Sequence, residues 1–84
     1  MLSLAVLQDA IKSLRMFRLK YTIALIAEFA SRFGIGERQA YNYLARFKGL
    51  AHLSSYYDVI HTQSFDDAVD VMVKVCGHNG GGLR

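Results

Sequence analysis

The chain has 84 residues, of which 52% are apolar and 20% charged, with a formal charge of +3. This is enough apolar content for one small hydrophobic core and excludes a disordered chain. The lone Cys76 excludes an intrachain disulfide framework and a four-cysteine zinc site, and no apolar run nears the roughly 20 residues of a membrane span. Proline is absent and the first glycine is Gly34, so nothing forces an early helix to break.

Residues 3 to 33 therefore read as helix. Leu4, Leu7, Ile11 and Leu14 form an apolar seam at alternating spacings of three and four, ending at Arg18. A second stripe is read from Ile23, Ile26, Ala30 and Phe33. One helix of that length would be about 45 Å long, more than the width of so small a domain. The expectation is a break or bend between Arg15 and Tyr21, the alternative being a first helix that projects to meet a partner. Gly34 ends the helical stretch as a left-handed cap. A third helix is read from Glu37 to Lys48, stopped by Gly49, with Ala40, Leu44 and Phe47 inward. Leu50, Leu53, Tyr57 and Ile60 give a fourth, which His61, Thr62 and Gln63 break. Ser64 caps a fifth over Phe65 to Cys76, with Phe65, Ala68, Val69, Met72, Val73 and Cys76 inward and Gly77 at its end. The fold class is all-α, a bundle of four to five helices. Residues 1–19 are taken as an N-terminal amphipathic helix, 20–77 as the core domain and 78–84 as a loose glycine-rich tail.

Ala27 to Leu44 has helix-turn-helix spacing: small Ala30 for close approach, Gly34 at the turn, Ile35 as the plug, and Ala40 and Leu44 as anchors. In a DNA-binding module the second helix enters the major groove, which would bring Arg38, Gln39 and Asn42 to base edges and Arg46 and Lys48 to phosphates. Charge is asymmetric in the same sense: residues 1–48 carry eight Lys and Arg against three acids, and residues 49–84 two against four. Against DNA stands Glu37 at the leading edge of that helix. The Ala30-x-x-x-Gly34 turn is also a general way of packing three helices and does not fix a function.

Catalytic and metal chemistry are not expected. His61 lies near Asp58, Thr62 and Ser64, but short helices offer little cleft for a substrate, and these residue types are ordinary at helix ends. Asp66 and Asp70 already have a structural reason in the first turns of a helix. No cofactor, metal ion or small-molecule substrate is implied. The N-terminal seam instead points to an interaction protein, with a hetero-complex or a homodimer as the form. Its four side chains are worth about 6–10 kcal/mol if buried, before entropy costs. They either pack across the other helices or meet a second chain, whose acidic surface Lys12, Arg15, Arg18 and Lys20 would flank. Tyr56 and His61 are the further interface candidates, and a membrane-bound role is not expected because the cations gather at one end.

Four strings, Tyr41-Asn42-Tyr43-Leu44, Tyr56-Tyr57-Asp58-Val59-Ile60-His61-Thr62, Ser64-Phe65-Asp66-Asp67-Ala68-Val69-Asp70 and Asn79-Gly80-Gly81, resemble the bacterial family named domain of unknown function 3791. The resemblance runs from about Lys20 to Gly81, with Tyr57-x-x-x-His61-Thr62 its most specific element. It implies a cytoplasmic helical protein without a known enzymatic activity. It also implies an antitoxin-like or accessory partner role beside an ADP-ribosyltransferase-like toxin. No catalytic residue carries over.

Overall fold

The computed structural model describes residues 4–82, apart from the side chains of residues 9–11. Five helices follow one another: α1 (Leu4–Phe33), α2 (Glu37–Arg46), α3 (Gly49–Ser55), α4 (Tyr57–Ile60) and α5 (Phe65–His78). The described residues contain no strand, so the fold is an all-α bundle. α1 packs against α2 and α5, and α3 packs against both of those. The core is centred on Leu25, Phe29, Leu44, Leu53, Tyr57, Ile60, Met72 and Cys76.

The expected break between Arg15 and Tyr21 does not occur, because α1 is one helix of 30 residues. Its middle is built from Leu, Arg, Met and Lys, all strong helix formers, with no cap or glycine to interrupt them. The bundle covers only the stretch from Tyr21 to Phe33. Every described side chain from Leu4 to Lys20 is exposed, so about 25 Å of helix hangs past the bundle. The molecule consequently measures 52 × 22 × 22 Å, and its radius of gyration is 14.7 Å. A compact domain of this length would have about 12 Å.

The inward stripe also differs from the one expected. Leu25, Ile26, Phe29 and Ala30 are buried, whereas Ile23 faces solvent. At 100° per residue Ile23 lies far around the helix from Phe29, while Leu25 lies beside it.

Between α1 and α2 the chain turns as the helix-turn-helix spacing requires. Gly34 takes a φ of 62°, and the Ile35 amide donates to Ala30 O at 3.0 Å while Gly34 N–H reaches Ser31 O at 3.3 Å. This is the paired bonding of a Schellman cap, and it folds half-buried Ile35 back onto the core.

The next connection falls earlier in the chain than expected. α2 ends at Arg46, and Lys48 itself takes the left-handed conformation at φ 68°. Gly49 opens α3 instead of closing α2, because a Cβ there would stand 2.9 Å from Leu44 Cδ2 and 3.1 Å from Cys76 Sγ. The single helix expected over residues 50–60 is interrupted at Tyr56, whose φ is −118°, giving α3 and the one-turn α4.

Ser64 caps α5 as expected, accepting the Asp67 amide at 3.1 Å. Phe65 is partly solvent-exposed at the start of this helix and stacks on Tyr21, so it is a rim residue and not core. α5 runs through Gly77 to His78, and the Gly81 amide then donates to Cys76 O at 2.7 Å. The residues expected as a loose tail from position 78 are thus tied to the bundle as far as Gly81. Arg32 near the end of α1 donates to the carboxylates of Asp66 and Asp70, holding α5 against it.

Candidate functional site

The overhang and the bundle meet at an inner corner. There Leu14, Arg15, Phe17 and Arg18 of α1 face Tyr57 and Asp58 of α4 and His61 at its end, around an open groove of about 570 Å³. Its lining is mostly apolar, and its volume is in the range of ordinary binding clefts.

The floor of this groove is an aromatic cluster. Tyr57 and His61 are one helical turn apart, so their rings stack at 4.7 Å with planes 5° apart. Tyr21 meets Tyr57 edge-on at 5.6 Å, and the Arg18 guanidinium lies 4.5 Å from the Tyr57 ring centre. The Tyr21 hydroxyl donates to Ile60 O at 3.3 Å. Partial burial, and secondarily the Tyr57 phenol, raise the Tyr21 pKa above its ordinary value. The Tyr57 hydroxyl is buried and has no hydrogen-bond partner among the described residues.

His61 Nδ1 lies 2.7 Å from Tyr57 O. A carbonyl only accepts, so Nδ1 carries the hydrogen, and in the neutral ring Nε2 is left as an acceptor. Thr62 Oγ1 in turn donates to Val59 O at 2.6 Å. The string Tyr57-x-x-x-His61-Thr62 therefore finishes α4 and pins it beneath α1.

Of the interface candidates, Leu4, Leu7 and Leu14 are all exposed on the overhang and do not pack across the other helices. The side chain of Ile11 lies outside the described residues. His61 lines the groove, whereas Tyr56 is exposed beside His52, with ring centres 4.6 Å apart, and does not line it. Arg18, expected to flank a partner's acidic surface, lines the groove, whereas the groove residues Phe17 and Tyr57 are not among the interface candidates. The spacing of 4, 7, 11 and 14 continues through 18, 21 and 25, which puts Arg18 and Tyr21 on the same line as the seam.

The nucleic-acid candidates Arg38, Gln39, Asn42 and Arg46 are exposed on α2. Lys48 is exposed but belongs to the α2–α3 connection and not to the helix. Asp66 and Asp70 are engaged by Arg32, and no group of three His, Cys, Asp or Glu among the described residues is placed to hold a metal ion. No helix among the described residues is long and apolar enough to cross a membrane.

No curated protein and no solved structure matches this chain. Over residues 20–79 it matches the family described as a protein of unknown function, DUF3791. The matched stretch opens at Lys20, where the bundle begins, so the exposed residues from Leu4 to Leu19 precede it. With that match covering residues 20–79, most of its length, the chain belongs to the DUF3791 family.

Proposed function

We propose that this chain is a non-enzymatic protein-binding module that acts in the cytoplasm and docks through the N-terminal half of α1 and the corner at its foot. One observation carries the reading. The line of α1 that the bundle covers from Tyr21 onward continues uncovered along Leu14, Leu7 and Leu4. Apolar side chains ordered along one helix face, beside a groove, are what a helix-in-groove interface uses. In its more specific form, the module is the antitoxin-like or accessory partner of an ADP-ribosyltransferase-like toxin, which it covers sterically.

The test is capture of tagged protein from its native host lysate, divided into nuclease-treated and untreated halves. A stoichiometric protein should survive nuclease and be lost with Leu7→Asp plus Leu14→Asp, while helicity and Tm stay close to those of the parent. Unfolding of that variant, or recovery of DNA alone, would overturn the reading.

A second reading rests on the exposure of Arg38, Gln39, Asn42 and Arg46 along one helix behind a tight turn. As a DNA-binding regulator, the chain would lose sequence-specific binding with Arg38→Ala plus Asn42→Ala at unchanged stability. Unchanged binding would dismiss it.

A further inference from the structure

We infer that the occupant of the overhang is an acidic amphipathic helix of another protein, with one large apolar side chain set into the groove between Phe17 and Tyr57. This rests on the protein-binding reading above and adds the partner's secondary structure and charge.

The helical form follows from α1 itself. Its covered half is faced by the helices α2 and α5. The uncovered half presents the same line in the same register, since no break lies between Leu4 and Phe33. A straight ridge with side chains three and four residues apart is matched along its length by a second helix, whose own side chains fill the gaps. Such a helix, running along Leu4, Leu7 and Leu14, arrives at the groove lined by Phe17, Tyr57 and His61.

The sign follows from the charges. Lys12, Arg15, Arg18 and Lys20 all fall in the overhang, where Asp9 is the sole acid. None of the four forms an ion pair among the described residues, in contrast to Arg32, which holds two carboxylates. A second copy laid side by side would bring four more cations to the same place, which like-charge repulsion disfavours. Of the seven acids only Asp9 falls in the overhang, so a second copy laid along it brings few carboxylates to these cations. A lipid surface is disfavoured by the spread of the cations. They stop at Lys12, and Leu4 to Gln8 carries none, whereas a helix lying on anionic lipid has them along its whole polar face. A partner helix with leucines on one face and glutamates beside them satisfies both the ridge and the cations next to it, Lys12, Arg15 and Arg18, while Lys20 lies on the far side of α1.

The probe is a fluorescein-labelled synthetic helix spanning the overhang, with Leu at alternating three and four spacing and Glu at the flanking positions. Versions with every Glu replaced by Gln or by Lys serve as controls. With the full chain, anisotropy should show the Glu peptide saturating at one per chain and binding about tenfold tighter than the Gln peptide. Binding should weaken severalfold in high salt and with Phe17→Ala. Lys12→Glu plus Arg15→Glu should remove the preference for Glu and favour the Lys peptide. Equal binding of the three peptides, or binding of none, would overturn the inference. So would sedimentation of the free chain as a dimer, or binding to phosphatidylserine vesicles in place of the peptide. In the lysate experiment, loss of the partner with the two Leu→Asp changes but not with the two charge reversals would leave the binding module standing and remove the acidic helix.

Discussion

Leu7 and Leu25 stand on one line of α1, separated by five whole helical turns, yet Leu7 is 45% exposed and Leu25 is 1% exposed. The same residue type, in the same helix and on the same face, is core at one end and bare at the other. The difference lies in what surrounds them: α2 and α5 cover the second position and no described element covers the first.

This pair gives the plainest stability test. Leu25→Ala should cost about 2–5 kcal/mol, since it empties a filled site in the core. Leu7→Ala should change stability by less than about 0.5 kcal/mol, as exposed helix substitutions do. Urea titrations of the two variants measure both, and equal losses would mean that the seam is core.

Lys48 and Gly49 divide two demands between neighbouring residues. The left-handed conformation falls on Lys48, where a side chain is strained, while the glycine is kept at 49 by close approach to Leu44 and Cys76. Lys48→Gly should therefore stabilise the fold by roughly 0.5–1 kcal/mol. Gly49→Ala should destabilise it by about 1 kcal/mol or more despite the better helix propensity of alanine, because Leu44 is fully buried and has nowhere to move. Thermal melts of the two variants should shift in opposite directions.

Burial pushes the Cys76 thiol above its ordinary pKa, an effect partly offset by the Gly49 amide. A group that ionises later in the folded state stabilises fully below its unfolded pKa, and that stabilisation is lost as pH rises toward the folded value. Unfolding free energy should thus decline above about pH 9, by at most ~1.4 kcal/mol per pH unit from this group. Tyr21, raised in the same direction, adds to the decline above about pH 10. The Cys76→Ala variant should lose the first part of this slope, and alkylation of Cys76 by iodoacetamide should track global unfolding.

The Tyr57 ring is held between Arg18 and His61, but its hydroxyl has no partner among the described residues. Tyr57→Phe should consequently be neutral or slightly stabilising, whereas Tyr57→Ala should cost about 3–5 kcal/mol. Chemical denaturation decides. A cost above about 1 kcal/mol for Tyr57→Phe would show that the hydroxyl has a role in the fold.

Much of the bundle was legible in the sequence because its signals are local. Ala30, Gly34 and Ile35 specify the first turn, Ser64 specifies the start of α5, and three-four spacing specifies the buried faces of α2 and α5. The division of Lys48 and Gly49 was not legible, since it depends on Leu44 and Cys76, which the chain brings together only on folding. The continuity of α1 differs from expectation for another reason. A rounded molecule of this size has no room for so long a helix, yet the residues between Arg15 and Tyr21 hold nothing that stops one. Of the corner, His61 and Arg18 are legible as partner-facing residues. Phe17 is not, because its meaning depends on α4 lying beneath it.

A single helix that is supported along half its length has two exchange regimes. Amides from Leu25 to Phe33 open only when the bundle opens, so their protection should approach that of global unfolding. Those from Leu4 toward Lys20 are held by helix propagation alone, seeded at Tyr21 and losing turns from the free end inward. Anything that covers the overhang must therefore stop this fraying, and the lost chain entropy is subtracted from its affinity. Docking should accordingly appear as a rise in helicity at 222 nm and as slowed exchange confined to the first half of α1.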